Sequence, residues 1–388
     1  MKIAVTHGEV GAGAGRDEQD ALTQVSFVSR GLAALGHEPV ALPISLNLAA
    51  AAQTLASLRP AMVFNLVETI AGKGNLIHLF PALLDALKIP YTGAGTEAMF
   101  LTSNKLIAKR WLAAAGLPTP PWFTGNESGQ DCADGSPFMI PLDKHGAGFD
   151  AASRPALDSR FRGNDSMDIY GFRGNNRSRD DEARPALPPA APSLPRAEAW
   201  LIKSVWEHAS IGLDEDSVLF GADRKRLLAE MDARCEALGG ACLAEAYIDG
   251  REFNLSLLAG EGGPEVLPPA EIRFDGYPPG KVRVVGYRSK WEEGTFEFAN
   301  TPRSFQFPAQ DDPLLSQLTE LARRCWKIFD LRGYARVDFR VDKAGRPWIL
   351  EVNANPCLSP DAGFFAATLR TGLTFPEVLC RIIKKVTS

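Results

Sequence analysis

The sequence predicts a mixed α/β fold, and three observations carry that prediction. Residues 1–98 alternate short apolar strand patterns with amphipathic helix patterns. Residues 200–259 read as strands around one helix. Residues 334–356 read as a β-hairpin, with two alternating runs flanking the turn Lys343-Ala344-Gly345-Arg346.

The length of 388 residues is enough for two or three domains. Hydrophobic content of 45% and charged content of 23% place the chain among soluble globular proteins. A formal net charge of -5 argues against a general nucleic-acid surface. No run approaches a membrane span, and MKIAVTHGEV enters a strand pattern without an apolar leader. The six cysteines are scattered with no CxxC pair, which predicts reduced thiols in a cytoplasmic protein.

Residues 2–6 form the first strand pattern. Gly11, Gly13 and Gly15 follow, then a helix over 17–35 that Gly36 ends. The loop fails the dinucleotide fingerprint, because Arg16 holds the last glycine position. Two readings remain: a loop whose amides meet an anion, or a plain surface loop. Strands over 39–44 and 61–67 enclose an Ala-rich helix, and a helix over 75–87 leads to Ile89-Pro90-Tyr91-Thr92-Gly93. Glu68 stands at a strand's C-terminal end, where such sheets place ligands. Residues 96–116 read as one helix carrying Lys105.

Residues 126–196 change character. They are rich in Gly, Pro, Ala, Arg and Asp, and they repeat themselves: Arg154-Pro155-Ala156-Leu157 recurs as Arg184-Pro185-Ala186-Leu187. Such a composition buries too little surface to offset ordering entropy, so the segment reads as a disordered insertion. Order resumes with a strand over 200–206 that carries Lys203. A helix over 224–238, strands over 242–248 and 252–259, and a strand over 282–291 carrying Lys290 follow. A helix over 311–330 leads to the hairpin, and two short helices close the chain.

Centring the hairpin turn between Ala344 and Gly345 sets Asp338 opposite Glu351 and Arg336 opposite Asn353. These four share one face, while Val337, Phe339, Leu350 and Val352 share the other, read as the core side. Like charges opposite each other in a sheet are destabilising. Two carboxylates and an amide, with no His or Cys, suit Mg²⁺. Arg336 beside them suits a phosphate or a developing oxyanion. The alternative is a solvated sheet face with cross-strand charges; the Arg and Asn that complete the cluster favour the metal site.

The ordered set of Lys105, Lys203 with its small-residue loop, Glu245 and Glu252, Lys290, Arg336–Asp338 (RVD) and Leu350–Pro356 (LEVNANP) resembles the ATP-grasp superfamily. Within it the chain is similar to the D-alanine–D-alanine ligases, over nearly its whole length except 126–196. The resemblance implies an ATP-grasp fold with a small parallel α/β domain before it. Residues 1–98 would form that domain, 99–258 the central subdomain with the insertion at 126–196, and 259–388 the C-terminal subdomain with the metal-binding hairpin. It implies an ATP-dependent, ADP-forming carboxylate–amine ligase that works through an acyl phosphate, with a cell-wall role. The physical logic agrees. A carboxylate is a poor electrophile and two anions must meet, so the site must neutralise phosphate charge and align the transfer.

By the same resemblance, Lys105, Lys203 and Ser210 contact the nucleotide and Lys290 approaches the γ-phosphate. Glu245 sits at the adenine end and Glu252 takes the ribose hydroxyls. Asp338, Glu351 and Asn353 hold two Mg²⁺ ions, or Mn²⁺, and Arg336 stabilises the tetrahedral oxyanion. The partners implied are amino-acid or carboxylate substrates, with no nucleic acid and no membrane; a homodimer is compatible. The chain departs from the ligase pattern at Ala209, Trp291 and Cys357, and Ala362 falls near the expected acceptor serine. These departures leave two alternatives open: a different amino acid, peptide or small carboxylate as substrate, or a Mg-ATP-binding paralogue without turnover.

Overall fold

The computed structural model describes residues 1–11, 13–125, 197–206, 210 and 212–387. The insertion read at 126–196 and the departure at Ala209 lie outside the described residues.

The chain opens with β1 (Lys2–Gly8), α1 (Arg16–Ala34), β2 (Glu38–Ile44), α2 (Leu48–Leu58), β3 (Met62–Asn65) and α3 (Leu79–Leu87). The three strands form a parallel sheet in the order β2-β1-β3. Ile3, Val5 and Phe64 are fully buried in it, which explains the unbroken apolar runs of a sheet covered on both faces. Glu18 accepts from the Gly15 amide at 3.3 Å and so helps start α1.

The single helix expected over 96–116 is two: α4 (Thr96–Ser103) and α5 (Lys105–Ala114). Asn104 breaks it. Its backbone is extended, and its side chain accepts from the Ile107 amide at 2.9 Å, capping α5. Lys105 therefore opens a helix instead of lying within one, and it is buried.

A four-stranded antiparallel sheet follows. It comprises β4 (Trp122–Phe123), β5 (Ala199–Ser204), β6 (Val218–Phe220) and β7 (Cys242–Ala246), in the order β4-β7-β5-β6. Helix α6 (Arg224–Cys235) covers one face through Leu227 and Met231.

The largest sheet runs β11-β10-β8-β12-β13, with β9 paired to β8. Its strands are β8 (Gly250–Gly260), β9 (Gly263–Val266), β10 (Ala270–Ile272), β11 (Arg303–Ser304), β12 (Tyr334–Asp342) and β13 (Pro347–Asn353). The neighbours β7 and β8 do not pair with each other: they part into separate sheets, and the chain at 247–249 crosses between them. The strand expected over 282–291 is irregular chain ending in a short helix, α7 (Tyr287–Trp291), with α8 (Phe296–Ala299) after it. Its alternating Val282-Arg283-Val284-Val285 has no partner strand among the described residues.

On one face of the large sheet, Ala335, Val337, Phe339 and Val341 pack against α9 (Asp312–Ile328) through Leu318, Ala322 and Cys325. Tyr334 and Leu258 meet α10 (Gly363–Leu369) and α11 (Phe375–Thr387) on the other. Among the described residues no helix is long and apolar enough to cross a membrane. The five described cysteines are free thiols.

The hairpin register is as expected at its far end: Arg336 pairs with Asn353, and Asp338 with Glu351. It then shifts. Phe339 pairs with Ile349 across a β-bulge, so Leu350 is the extra residue. Ile349 takes the core side, fully buried, and Leu350 lines the cleft on the opposite face. The core assignment of Leu350 is thereby corrected.

Candidate active site

The cleft lies between the four-stranded and the large sheet. Lys105, Lys203, Ser210, Glu245, Glu252, Lys290, Asp338 and Glu351 all line it. Arg336 and Asn353 adjoin it through Asp338.

The floor is the hairpin. Arg336 Nε and Nη2 donate to Asp338 Oδ1 and Oδ2 at 2.7 and 2.8 Å. Asn254, directly opposite Asp338 on β8, donates to Oδ1 at 2.7 Å. Asn353 Nδ2 bridges Asp338 at 3.1 Å and Glu351 at 3.3 Å. Burial pushes the Glu351 carboxyl up, but Lys105, Lys290, Lys203 and Arg336 outweigh it and hold it below its usual range. A cluster of two carboxylate side chains and one amide oxygen fits a hard, oxygen-liganded cation.

The roof carries the lysines. Lys203 Nζ donates to Glu245 Oε1 at 2.8 Å, and Lys109 pairs with the other oxygen of Glu245. Lys109 also donates to Thr119 Oγ1 at 2.8 Å and to the Pro120 carbonyl at 3.0 Å. A buried and a partly buried lysine thus share one buried carboxylate. Burial pushes the Lys109 ammonium down, Glu245 pulls it up, and it settles at about 8. Unfolded, a lysine titrates near about 10.4. Between these values the unfolded chain holds more protons, so this group's contribution to stability grows as pH rises through that window. Urea unfolding from pH 7.5 to 10 is therefore expected to show a rise of about 2–3 kcal/mol that Lys109→Met lacks. Parallel curves for the two proteins would refute the lowered Lys109 ammonium.

Glu252 does not pair with its neighbour Arg251, which binds Glu271 and Asp311 instead. Its partner is Arg340, whose Nε donates at 2.8 Å from the position opposite it on β12. Burial raises the Glu252 carboxyl, Arg340 opposes, and Asp338 raises it further.

Lys290 is positioned by the chain that bridges the sheets. Ser210 Oγ donates to the Val285 carbonyl at 3.0 Å, and Lys281 pairs with Glu215 and, at 2.8 Å, with Glu297. Arg16 Nη1 donates to the Trp291 carbonyl at 2.7 Å, so the first residue of α1 meets the residue after Lys290. Burial lowers the Lys290 ammonium; Glu351, Asp338 and Glu252 pull against that and Arg336 adds to it.

The thiol of Cys357 donates to Asp20 Oδ2 at 3.1 Å, and Ser359 Oγ to Oδ1 at 2.8 Å. Burial first, then Glu68 and Asp20, push that thiol well above its ordinary range, which unfits it as a nucleophile. Asn355 accepts from the Ala94 amide at 2.9 Å, beneath Gly93. A Cβ on Gly93 would lie 2.5 Å from that side chain, and its φ of +86° already favours glycine.

Lys109, Arg340 and Asn254 escaped the sequence reading. Lys109 follows Lys105 by one helical turn, and Asn254 and Arg340 each lie two residues beyond a named site residue on the same strand face. Those spacings were the available signals.

The family profile described as "D-ala D-ala ligase C-terminus" matches residues 201–384. The structure of D-alanine–D-alanine ligase from Bacillus anthracis complexed with ATP superposes with a TM-score of 0.61. It covers 100% of this chain and 97% of that one, at 18% identity. The fold is therefore that of ATP-grasp, with two sheets closing on a cleft in which lysines and arginines are interleaved with carboxylates. The D-alanine–D-alanine ligases of Moorella thermoacetica and Carboxydothermus hydrogenoformans are 25% and 26% identical over 99% of this chain, and over 98% and 97% of their own. The chain is thus similar to the D-alanine–D-alanine ligases over nearly its whole length, and their C-terminal profile matches its second half.

Proposed function

We propose that the chain is an ADP-forming carboxylate–amine ligase that activates a carboxylate with ATP in this cleft. One observation carries the reading: Lys105, Lys203, Lys290 and Arg336, from four separate segments, converge on Glu351. With Lys109 and Arg340 they bring six cations against the four carboxylates Glu245, Glu252, Asp338 and Glu351. That excess of positive charge beside a hard-cation site suits a triphosphate.

Lys105, Lys203 and Ser210 face the phosphates, with Glu245 behind the lysines. Lys290 sits where the γ-phosphate transfers, and Glu252, held by Arg340, presents an acceptor to the ribose hydroxyls. Asp338, Glu351 and Asn353 would hold two Mg²⁺ ions, which when bound neutralise phosphate charge. The substrate carboxylate attacks the γ-phosphorus, an O–P bond forms, and the bond to ADP breaks. The amine, once deprotonated, then attacks the carbonyl carbon; a C–N bond forms and phosphate leaves. Arg336 stands beside the oxygen that gains charge in that second step.

The names of the relatives make D-alanine the first substrate to try. A different amino acid is the second reading, favoured by Trp291 and by the Cys357–Asp20 contact at the edge of the site. An ADP-release screen over D- and L-amino acids and simple carboxylates, with hydroxylamine present to capture acyl phosphate, tests both. The expected result is ADP and hydroxamate formed together. Tight Mg-ATP binding with neither product from any acid would overturn the ligase reading in favour of a non-turning paralogue.

A further inference from the structure

Arg340 stands on β12 opposite Glu252 of β8, lines the cleft and is only 4% exposed. A guanidinium has five N–H donors in a fixed planar fork. Here each of them has a partner. Nε and Nη2 reach Glu252 Oε2 at 2.8 and 2.7 Å. Nη1 donates to the carbonyls of Gly250 at 3.2 Å and Ile248 at 3.5 Å. Nη2 donates to the Arg283 carbonyl at 2.5 Å. The guanidinium carbon also lies 5.1 Å from the centre of the Phe274 ring.

These partners belong to three places. Glu252 is the residue assigned to the ribose hydroxyls. Ile248 lies in the stretch 247–249, where the chain crosses between the sheets, and Gly250 opens β8 just beyond it. Arg283 lies in the irregular chain that leads to Lys290. Residues 282–285 pair with neither sheet, so the backbone there relies on side chains for its hydrogen bonds. Arg340 supplies one, and the Tyr247 hydroxyl takes the Arg283 amide at 3.1 Å.

From Arg283 the route to Lys290 is short and held. Val284 and Val285 line the cleft, and Ser210 holds the Val285 carbonyl. The Tyr287 amide donates to the Leu213 carbonyl at 3.1 Å, and α7 then carries Lys290. An apolar side chain at 340 would fill the same place without the cost of desolvating a charge. What the guanidinium adds is a rigid link from Glu252 to the chain that bears Lys290.

We infer that Arg340 is a positioning residue that couples ribose binding at Glu252 to the placement of Lys290 at the transferring phosphate. The ribose of ATP then contributes to turnover as well as to binding, as remote binding energy can. The inference rests on the ligase reading above.

The test compares ATP with 2′,3′-dideoxy-ATP in wild type, Arg340→Lys and Arg340→Met, using hydroxylamine and the acid that forms hydroxamate in the screen above. In wild type, loss of the hydroxyls is expected to lower kcat by about 10-fold besides raising KM, the scale of one hydrogen bond to a charged group. Arg340→Lys keeps a cation against Glu252 but lacks the fork that also spans the Arg283 carbonyl. It should keep the KM preference for ATP and show equal kcat for the two nucleotides. Arg340→Met should lose both preferences. A dideoxy analogue that changes KM alone in wild type, or Arg340→Lys keeping the kcat difference, overturns the inference. Hydroxamate formed at equal kcat from both nucleotides in wild type sinks the inference alone. No hydroxamate from wild type with ATP sinks the ligase reading and the inference with it.

Discussion

Asp338→Asn is expected to lower kcat for ADP release by about 10²- to 10³-fold, the scale of losing one preorganised electrostatic contact at a reaction centre. Asp338 is the acceptor that ties three members of the floor together. It accepts from both ends of Arg336, from Asn254 and from Asn353. An asparagine keeps the volume but turns one acceptor into a donor, which then faces other donors. Arg336 would lose its paired carboxylate and swing free near Lys290. The Mg²⁺ concentration for half-maximal rate is expected to rise by about 10- to 100-fold, because the carboxylate both ligates and orients. Steady-state kinetics at several Mg²⁺ concentrations check this. A variant with wild-type kcat and unchanged metal dependence would remove Asp338 from the site.

Glu245→Ala is expected to show the largest effect on stability, a loss of about 3–5 kcal/mol, typical of stripping the partner from a buried charge. Both lysines on Glu245 lie in the interior, and Lys109 is almost wholly buried. Removing the carboxylate leaves two cations facing each other without compensation. The double variant Glu245→Ala with Lys109→Met should regain much of the loss, since apolar groups replace a buried pair at little cost. Urea unfolding of the three proteins decides it. A loss below about 1 kcal/mol for the single variant, or no recovery in the double, would show that water reaches this pair. The same substitution should raise KM for ATP through Lys203, whose ammonium would no longer be held at 2.8 Å.

Much of the site was legible because period-2 alternation reveals faces without a structure. Asp338, Glu351, Arg336 and Asn353 fall together on that ground alone, and the register holds there. Lys203 in an apolar strand and Glu245 within another stood out as charges where sheets bury side chains. Arg340 was hidden because its partner Glu252 lies 88 residues away, and strand pairing at that separation leaves no local mark. Lys109 was hidden for a related reason: a helix lysine looks solvated until the strand carrying Glu245 is laid beside it. The stretch around Val282–Val285 misled in the opposite direction. Its β-branched residues favour a strand, yet a strand needs a neighbour, and the chain instead bridges two sheets to deliver Lys290. Asparagine is a good capping residue, but with helical residues on either side Asn104 leaves the pattern over 96–116 looking continuous.

The extra residue at Leu350 has a consequence for how this hairpin can vary. Parity is what keeps a strand's residues on their proper sides, and deleting one residue from a regular strand inverts everything beyond the cut. Here the ladder already contains one unpaired position, between the Asp338–Glu351 and Phe339–Ile349 pairs. Loss of Leu350 would close the ladder without inverting either half. The acidic end would keep its outlook and the turn end would keep its core contacts. The hairpin therefore has one place where its length can change by a residue while the site keeps its orientation, and gaps among related sequences should gather there.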